Sequence, residues 1–269
     1  MSSNPLSVFY HYVRDVAEQR GVTIPEALRR VRAMGYDGLT FDIFFLTDRA
    51  NQRRLYESEG LAVHSVYADV DFLHWQPERC WRAANDLLEC AAFFGAGNVL
   101  VLPGCFRDGD DRATGLRRIY AGLETVCRKA EEYGIDATIE NFGIQGAPNG
   151  TAAGCLACLD AVEGLKFAFD TGNFSCYGEN PHEVYGAFAD RLASVHLKER
   201  PLNPDGTLRI ASAPVGDGGL DLGRLMRRMI DDGYKGCFIV EQFGLDDQET
   251  ALRHSADFCR RILAATPSH

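Results

Sequence analysis

The chain has 269 residues, 46% of them hydrophobic and 25% charged, an ordinary balance for one globular domain of barrel size. Its formal net charge of -10 disfavours a nucleic acid as the main partner. No apolar run is long enough for a membrane span, and the N-terminus lacks the basic and apolar regions of a signal peptide. The nine dispersed cysteines argue against a disulfide framework, so we expect a cytoplasmic protein.

Short apolar runs alternate with helical patterns along the whole chain. Predicted strands begin near Ser7, Gly38, Leu61, Gly97, Ile135, Leu165, Leu192 and Cys237. Apolar residues recur at helical spacing after Thr23 and Pro77, from Arg112 to Tyr133, from Asp221 to Asp232, and from Ala251 to Ala265. Eight strands, each followed by a helix or a long loop, predict an α/β fold, a (β/α)8 TIM barrel, forming a single domain over residues 1–269.

Four residues that can bind metal directly follow the apolar runs of predicted strands five to eight. They are Glu140, Asp170, His196 and Glu241. The carboxyl ends of parallel barrel strands form the mouth where ligands bind, so we expect these side chains to converge. Three carboxylates at one place repel one another unless a cation lies among them, and the set predicts a site for one divalent ion. The alternative is that each residue caps a helix or forms a salt bridge.

Three more residues are predicted to bind substrate at this mouth. His64, in Val63-His64-Ser65, is interpreted as the end of strand three, where it either donates a hydrogen bond to a substrate oxygen or has a structural role. Lys198 follows His196 by two residues and shares its strand face, where it either neutralises a substrate oxyanion or pairs with an acidic ligand. Asn173 either contacts substrate or caps the next helix.

A long loop is predicted between strands seven and eight. Residues 199–220 are rich in Pro, Asn, Asp and Gly, and loops of this length at a barrel mouth often cover substrate. Within it, Gly216-Asp217-Gly218-Gly219 resembles an anion-binding nest before a helix. A plain turn is the preferred interpretation, so no phosphate substrate is inferred.

The motifs around the four candidate ligands resemble a known family. They read Ile139-Glu140-Asn141, Phe169-Asp170-Thr171-Gly172-Asn173, Val195-His196-Leu197-Lys198 and Ile239-Val240-Glu241. These are similar to the successive motifs of the sugar phosphate isomerase/epimerase group of the xylose-isomerase-like TIM-barrel superfamily. The resemblance implies that the two glutamates, Asp170 and His196 bind one catalytic divalent ion. Manganese is favoured, with magnesium, cobalt or zinc as alternatives.

Three positions depart from the patterns of this group. Asn173 stands where many members have histidine, and Glu199 where many have aspartate. Gly146 stands where the tagatose/psicose-type epimerases carry a second glutamate. Gly146 therefore argues against assignment to that particular subgroup.

The residue types suit chemistry on a ketose, whose carbonyl and adjacent hydroxyl can chelate a metal. The ion would stabilise the enediolate formed when the α-proton leaves, and Glu140 and Glu241 are the candidate catalytic bases. Two bases on opposite faces give epimerisation, and one base gives 1,2-isomerisation. We therefore predict a metal-dependent isomerase or epimerase of a ketose or ketose derivative. Loss of a β-hydroxide instead would give the alternative, a dehydratase of a cyclic polyol ketone such as an inosose.

The expected partners are a small sugar or polyol and a second copy of the chain, without nucleic acid or membrane. Barrels of this group are often dimers or tetramers, and the aromatic-rich segment Phe41 to Phe45 favours a homo-oligomer. A remote alternative is a DNA-repair enzyme like endonuclease IV, which shares this barrel. The acidic chain and the absence of a ligand in Leu102-Pro103-Gly104, after strand four, disfavour it.

Overall fold

The computed structural model of the chain describes residues 4–265. Eight parallel strands close into a barrel in sequence order, and the last strand pairs with the first. The strands are β1 Leu6–Phe9, β2 Gly38–Asp42, β3 Ala62–Asp69, β4 Asn98–Leu102, β5 Asp136–Glu140, β6 Lys166–Asp170, β7 Leu192–Leu197 and β8 Cys237–Val240. The predicted TIM barrel is confirmed.

The helices follow the predicted order over the described residues. They are α1 Tyr10–Arg20, α2 Ile24–Ala33, α3 Arg49–Ser58, α4 Pro77–Phe94, α5 Arg112–Tyr133, α6 Ala152–Ala161, α7 Pro181–Val184, α8 Leu222–Asp231 and α9 Gln248–Ala265. Helix α9 begins earlier than predicted because Asp247 accepts hydrogen bonds from Thr250 N and Ala251 N and caps it. Between residues 4 and 265, no helix combines the length and hydropathy needed to cross a membrane.

The strand register determines which side chains point into the barrel. Asp170 pairs with His196 across β6 and β7, and neighbours in register lie on the same face of a sheet. Thr138 and Ser194 lie two residues before Glu140 and His196 and share that face; both are fully buried. The inner face of these strands therefore carries polar side chains that lead up to the charged residues at the mouth.

The prediction that His64 ends strand three was wrong. His64 is the third residue of β3, which continues to Asp69. Its ring lies at the opposite end of the barrel, with Nδ1 3.5 Å from the sulfur of Cys237, the first residue of β8. The strand continues because Ser65 Oγ donates a hydrogen bond to Asn98 Oδ1 on β4, at 2.7 Å, so this polar pair is satisfied inside the barrel.

The aromatic segment after β2 is divided between core and surface. Phe41 is fully buried, whereas the side chain of Phe44 is 78% exposed. That the chain forms a homo-oligomer stays a prediction.

All nine cysteines are free thiols, as expected for a chain without a disulfide framework.

Candidate metal centre

Four predicted ligands converge at the carboxyl ends of β5 to β8. Each of Glu140, Asp170, His196 and Glu241 offers a ligand atom, and these atoms all lie within 4.8 Å of one another. All four residues are buried. The side chains form one cluster, and within it Asp170 caps the turn after β6 while Lys198 and His196 pair with the carboxylates, so elements of the alternative are present as well.

Local hydrogen bonds fix the orientation of Asp170. Its Oδ1 accepts from the backbone N–H groups of Gly172 and Asn173, both at 2.8 Å. The amide side chain of Asn141 donates to Asp170 O at 2.8 Å and accepts from Asp170 N at 2.9 Å, which ties the end of β5 to the end of β6. Only Oδ2 of Asp170 is left to face the cluster.

His196 lies between two carboxylates. Its Nδ1 is 3.1 Å from Glu140 Oε2 and 3.3 Å from Glu241 Oε2. Neither ring nitrogen has an aligned hydrogen-bond partner. Burial would lower the pKa of His196, but the two carboxylates together raise it to about 10. The site therefore attracts positive charge to this position.

These residues fit a divalent metal ion. Three carboxylates and one imidazole are a donor set that manganese, magnesium or cobalt accepts, and an ion among them would both balance the carboxylate charge and give His196 Nδ1 a partner. The cluster could thus hold one ion.

Lys198 also reaches into the cluster. Its Nζ lies 2.8 Å from Asp170 Oδ2 and 2.6 Å from Glu241 Oε1. Burial would lower the pKa of Lys198, but these carboxylates raise it above its ordinary value. Burial would likewise raise the pKa of Glu241, which Lys198 and His196 instead hold below its usual range. Of the two roles predicted for Lys198, the structure contains the pairing with acidic ligands.

Asn173 connects the cluster to a residue that the sequence interpretation missed. Its Oδ1 accepts from Lys198 Nζ at 3.0 Å and from the guanidinium of Arg200 at 3.4 Å, while its Nδ2 donates to Asn141 O. Arg200 is buried and also donates to Gly172 O and Ala211 O. It therefore joins the turn after β6 to the long loop after β7.

The glycine-rich segment 216–219 packs around a carboxylate of the protein itself. Glu199 accepts hydrogen bonds from Arg200 N at 2.9 Å, Leu220 N at 3.1 Å and Gly216 N at 3.4 Å. A Cβ at Gly218 would lie within 2.6 Å of this carboxyl group, so glycine allows the loop to approach closely. The Glu199 carboxylate thus holds the long loop against the end of β7.

Aromatic side chains line the β1 side of the mouth, and the sequence interpretation did not single them out. The ring of Phe9 lies edge-on to His196 at 5.1 Å and to Tyr67 at 5.7 Å. His11 stacks on Phe243 at 5.4 Å, and half of Phe243 is exposed. The available signal was the run Phe9-Tyr10-His11-Tyr12, which begins at the last residue of the first strand. Such a wall can exclude water beside a metal centre.

A family model described as "Xylose isomerase-like TIM barrel" matches residues 14–262 of the chain. The chain belongs to this family. The match confirms the resemblance that the four motifs carry. A curated relative, the inosose dehydratase of Lacticaseibacillus casei, is 24% identical over 136 residues, which are 46% of this chain and 46% of the relative. The chain thus matches about half the length of that relative.

Solved structures share the fold over nearly the full chain. The D-allulose 3-epimerase of Methylomonas sp., in complex with D-allulose, superposes with a TM-score of 0.77 at 15% identity, covering 96% of this chain and 97% of the epimerase. A xylose isomerase-like TIM-barrel protein of Mycobacterium smegmatis, in complex with magnesium, gives a TM-score of 0.74 at 19% identity, covering 98% and 97%. At these identities the likeness concerns the fold.

Proposed function

We propose that this protein is a metal-dependent isomerase or epimerase that acts on a ketose or a ketose derivative. The observation that carries the proposal is the buried cluster of Glu140, Asp170, His196 and Glu241 at the barrel mouth. Its two glutamates come from β5 and β8 and approach His196 from two different strands. This gives a bound carbon atom two carboxylates that can exchange protons with it.

The ion that we propose for this cluster is manganese, with magnesium, cobalt and zinc as alternatives. When bound, a divalent ion would polarise the carbonyl group of the substrate, which acidifies the neighbouring C–H bond. The oxygen-rich donor set supports a hard or borderline ion rather than a thiolate-seeking one.

The proton steps are assigned to the side chains of the cluster. One of Glu140 and Glu241 takes the proton from the carbon next to the carbonyl, and the other returns a proton to the opposite face. Return to the opposite face inverts the centre, while transfer by a single glutamate to the neighbouring carbon gives a 1,2-isomerisation. The aromatic wall at Phe9, Tyr67 and Phe243 would limit the access of water to the deprotonated carbon.

A second candidate function is dehydration of a cyclic polyol ketone. The match to an inosose dehydratase over 136 residues favours it, and the first step would be the same removal of a proton by a glutamate. The reactions diverge afterwards, because the β-hydroxide leaves in the dehydratase and stays in the epimerase.

The experiment that separates these functions is product analysis by NMR in deuterated water. Manganese-loaded protein is incubated with a panel of ketoses and inososes. Deuterium incorporation next to the carbonyl together with a new sugar and no loss of water supports the isomerase or epimerase. An absorbing enone supports the dehydratase. Absence of both exchange and product across the panel would contradict proton transfer at this site.

A further inference from the structure

The Lys198 ammonium makes three close contacts inside the cluster. Its partners are Glu241 Oε1 at 2.6 Å, Asp170 Oδ2 at 2.8 Å and Asn173 Oδ1 at 3.0 Å. The contact with Asn173 is a hydrogen bond, and the contacts with the two carboxylates are ion pairs. In this position the charge of Lys198 is directed at the carboxylates of the cluster.

Two of these three partners are carboxylate oxygens of proposed metal ligands. Asp170 Oδ1 already accepts two backbone N–H groups, which leaves Oδ2 as the oxygen that faces the cluster. Glu241 directs Oε2 towards His196 Nδ1 and Oε1 towards Lys198. The Lys198 ammonium therefore contacts oxygen atoms of two proposed metal ligands, Asp170 and Glu241. Its third partner, Asn173, is not a proposed ligand.

A divalent ion and the ammonium would repel each other strongly in this space. The four ligand atoms lie within 4.8 Å of one another, so an ion among them is only a few ångströms from Nζ. Charges at such distances are weakly screened in a buried site. Two contacts of Lys198 do not depend on the ligands: the Asn173 side chain and the ring of Phe243, whose centroid is 5.5 Å from Nζ.

We propose that Lys198 is an exchangeable counter-cation that competes with the metal ion for Asp170 and Glu241 and thereby sets the affinity of the site. Entry of the ion moves Nζ off the two carboxylates. The ammonium then stays with Asn173 and Phe243, where its released N–H groups are available to an oxygen of the substrate. This inference rests on the metal site in the proposed function and assigns Lys198 a second, positioning role.

The test measures metal affinity in a variant that keeps the length of the side chain and removes its charge. Chelator-stripped wild-type protein and Lys198→Met are titrated with Mn2+ by calorimetry. We expect the variant to bind Mn2+ at least about tenfold more tightly, because the repulsion and the competing contacts are gone. Lys166→Met, at the start of β6 and away from the mouth, is the matched control and is expected to bind like wild type.

Thermal unfolding gives a second readout that does not depend on activity. Without added metal, Lys198→Met should melt at a lower temperature than wild type, because its buried carboxylates have lost a counter-cation. Saturating Mn2+ should then raise its melting temperature by more than it raises that of wild type. Lys198→Gln serves for both measurements if the Met variant does not fold.

The outcomes distinguish this inference from the metal site itself. If wild type and Lys198→Met bind Mn2+ with equal affinity, or the variant binds more weakly, the proposed competition between Lys198 and the metal ion is wrong, but the metal site is still supported. If neither protein binds the ion, the metal site and the exchange are both wrong.

Discussion

The two ends of the barrel each hold a histidine, His196 buried at the mouth and His64 partly buried at the opposite end, in opposite electrostatic surroundings. At the mouth, the Glu140 and Glu241 carboxylates raise the pKa of His196 against the effect of burial. At the other end, burial outweighs the attraction of Asp37 and lowers the pKa of His64. One end of the barrel therefore concentrates negative charge and attracts a cation, while the other favours a neutral ring.

The end that holds His64 is closely packed around Gly38. A Cβ added at Gly38 would lie 2.6 Å from the His64 ring and from Ala62 O. Close packing of neutral groups stabilises a fold, whereas a cluster of like charges is retained at a cost in stability and is typical of functional sites. The comparison therefore makes the mouth the candidate functional end, while the surroundings of Gly38 leave no room for extra volume.

The largest effect on turnover is expected from substitution of Glu140 and Glu241. Glu140→Gln and Glu241→Gln keep the shape and one ligand oxygen but remove the basic carboxylate. We expect both variants to retain much of their metal and to lose roughly a hundredfold or more in turnover, the usual scale for loss of a general base. Steady-state kinetics with the substrate found by NMR, beside elemental analysis, checks this.

Glu163→Gln, outside the mouth, is the control for these variants and should turn over like wild type. Near-normal turnover in both Glu140→Gln and Glu241→Gln would exclude them as the bases.

The next largest effect is expected on metal affinity, where substitutions of the two histidines should differ. His196→Gln removes a proposed ligand, and we expect affinity for Mn2+ to fall at least about a hundredfold, beyond the usual loss for residues that only support a ligand. His64→Gln should leave the affinity unchanged, since its ring lies at the other end of the barrel. Calorimetric titration measures both. Equal loss in the two variants would mean that the ends of the barrel do not differ as described.

The smallest effect is expected on the free energy of unfolding, from a substitution at the end of the barrel that holds His64. Gly38→Ala should lower the free energy of unfolding by about 1–3 kcal/mol, the cost of overpacking a filled core, with metal affinity unchanged. Gly97→Ala is the matched control, because nothing lies within 4 Å of the added Cβ. Urea denaturation of both variants checks the difference. If Gly38→Ala and Gly97→Ala were equally stable, the end of the barrel that holds His64 would tolerate the extra volume, contrary to this prediction.

Much of the fold could be predicted because its signals are local. Helix α5 was predicted with both ends, since Asp111 caps its first turn and Gly134, with φ of 67°, ends it. The four candidate ligands could be predicted to converge because each directly follows an apolar strand. Strand order and a period of two then bring them to one face.

The remaining features depend on contacts between distant segments. His64 was misplaced because the polar pair that continues β3 is satisfied only by Asn98 on the next strand. The carboxylate that the glycine-rich segment packs around could not be predicted from that segment, since it comes from Glu199, two residues after β7. Whether Lys198 contacts substrate or pairs with an acidic ligand could not be predicted either, because it depends on the orientation of Asp170.

The most direct test of the metal site is the metal content of an Asp170→Asn variant. Asparagine can still accept from Gly172 N and Asn173 N, so the turn is kept, but an amide NH2 replaces the oxygen that faces the cluster. Elemental analysis of protein purified without chelator should give about one divalent ion per chain for wild type and for the control Asp136→Asn, at the opposite end of β5, and almost none for Asp170→Asn. Equal metal content in all three proteins would contradict the site.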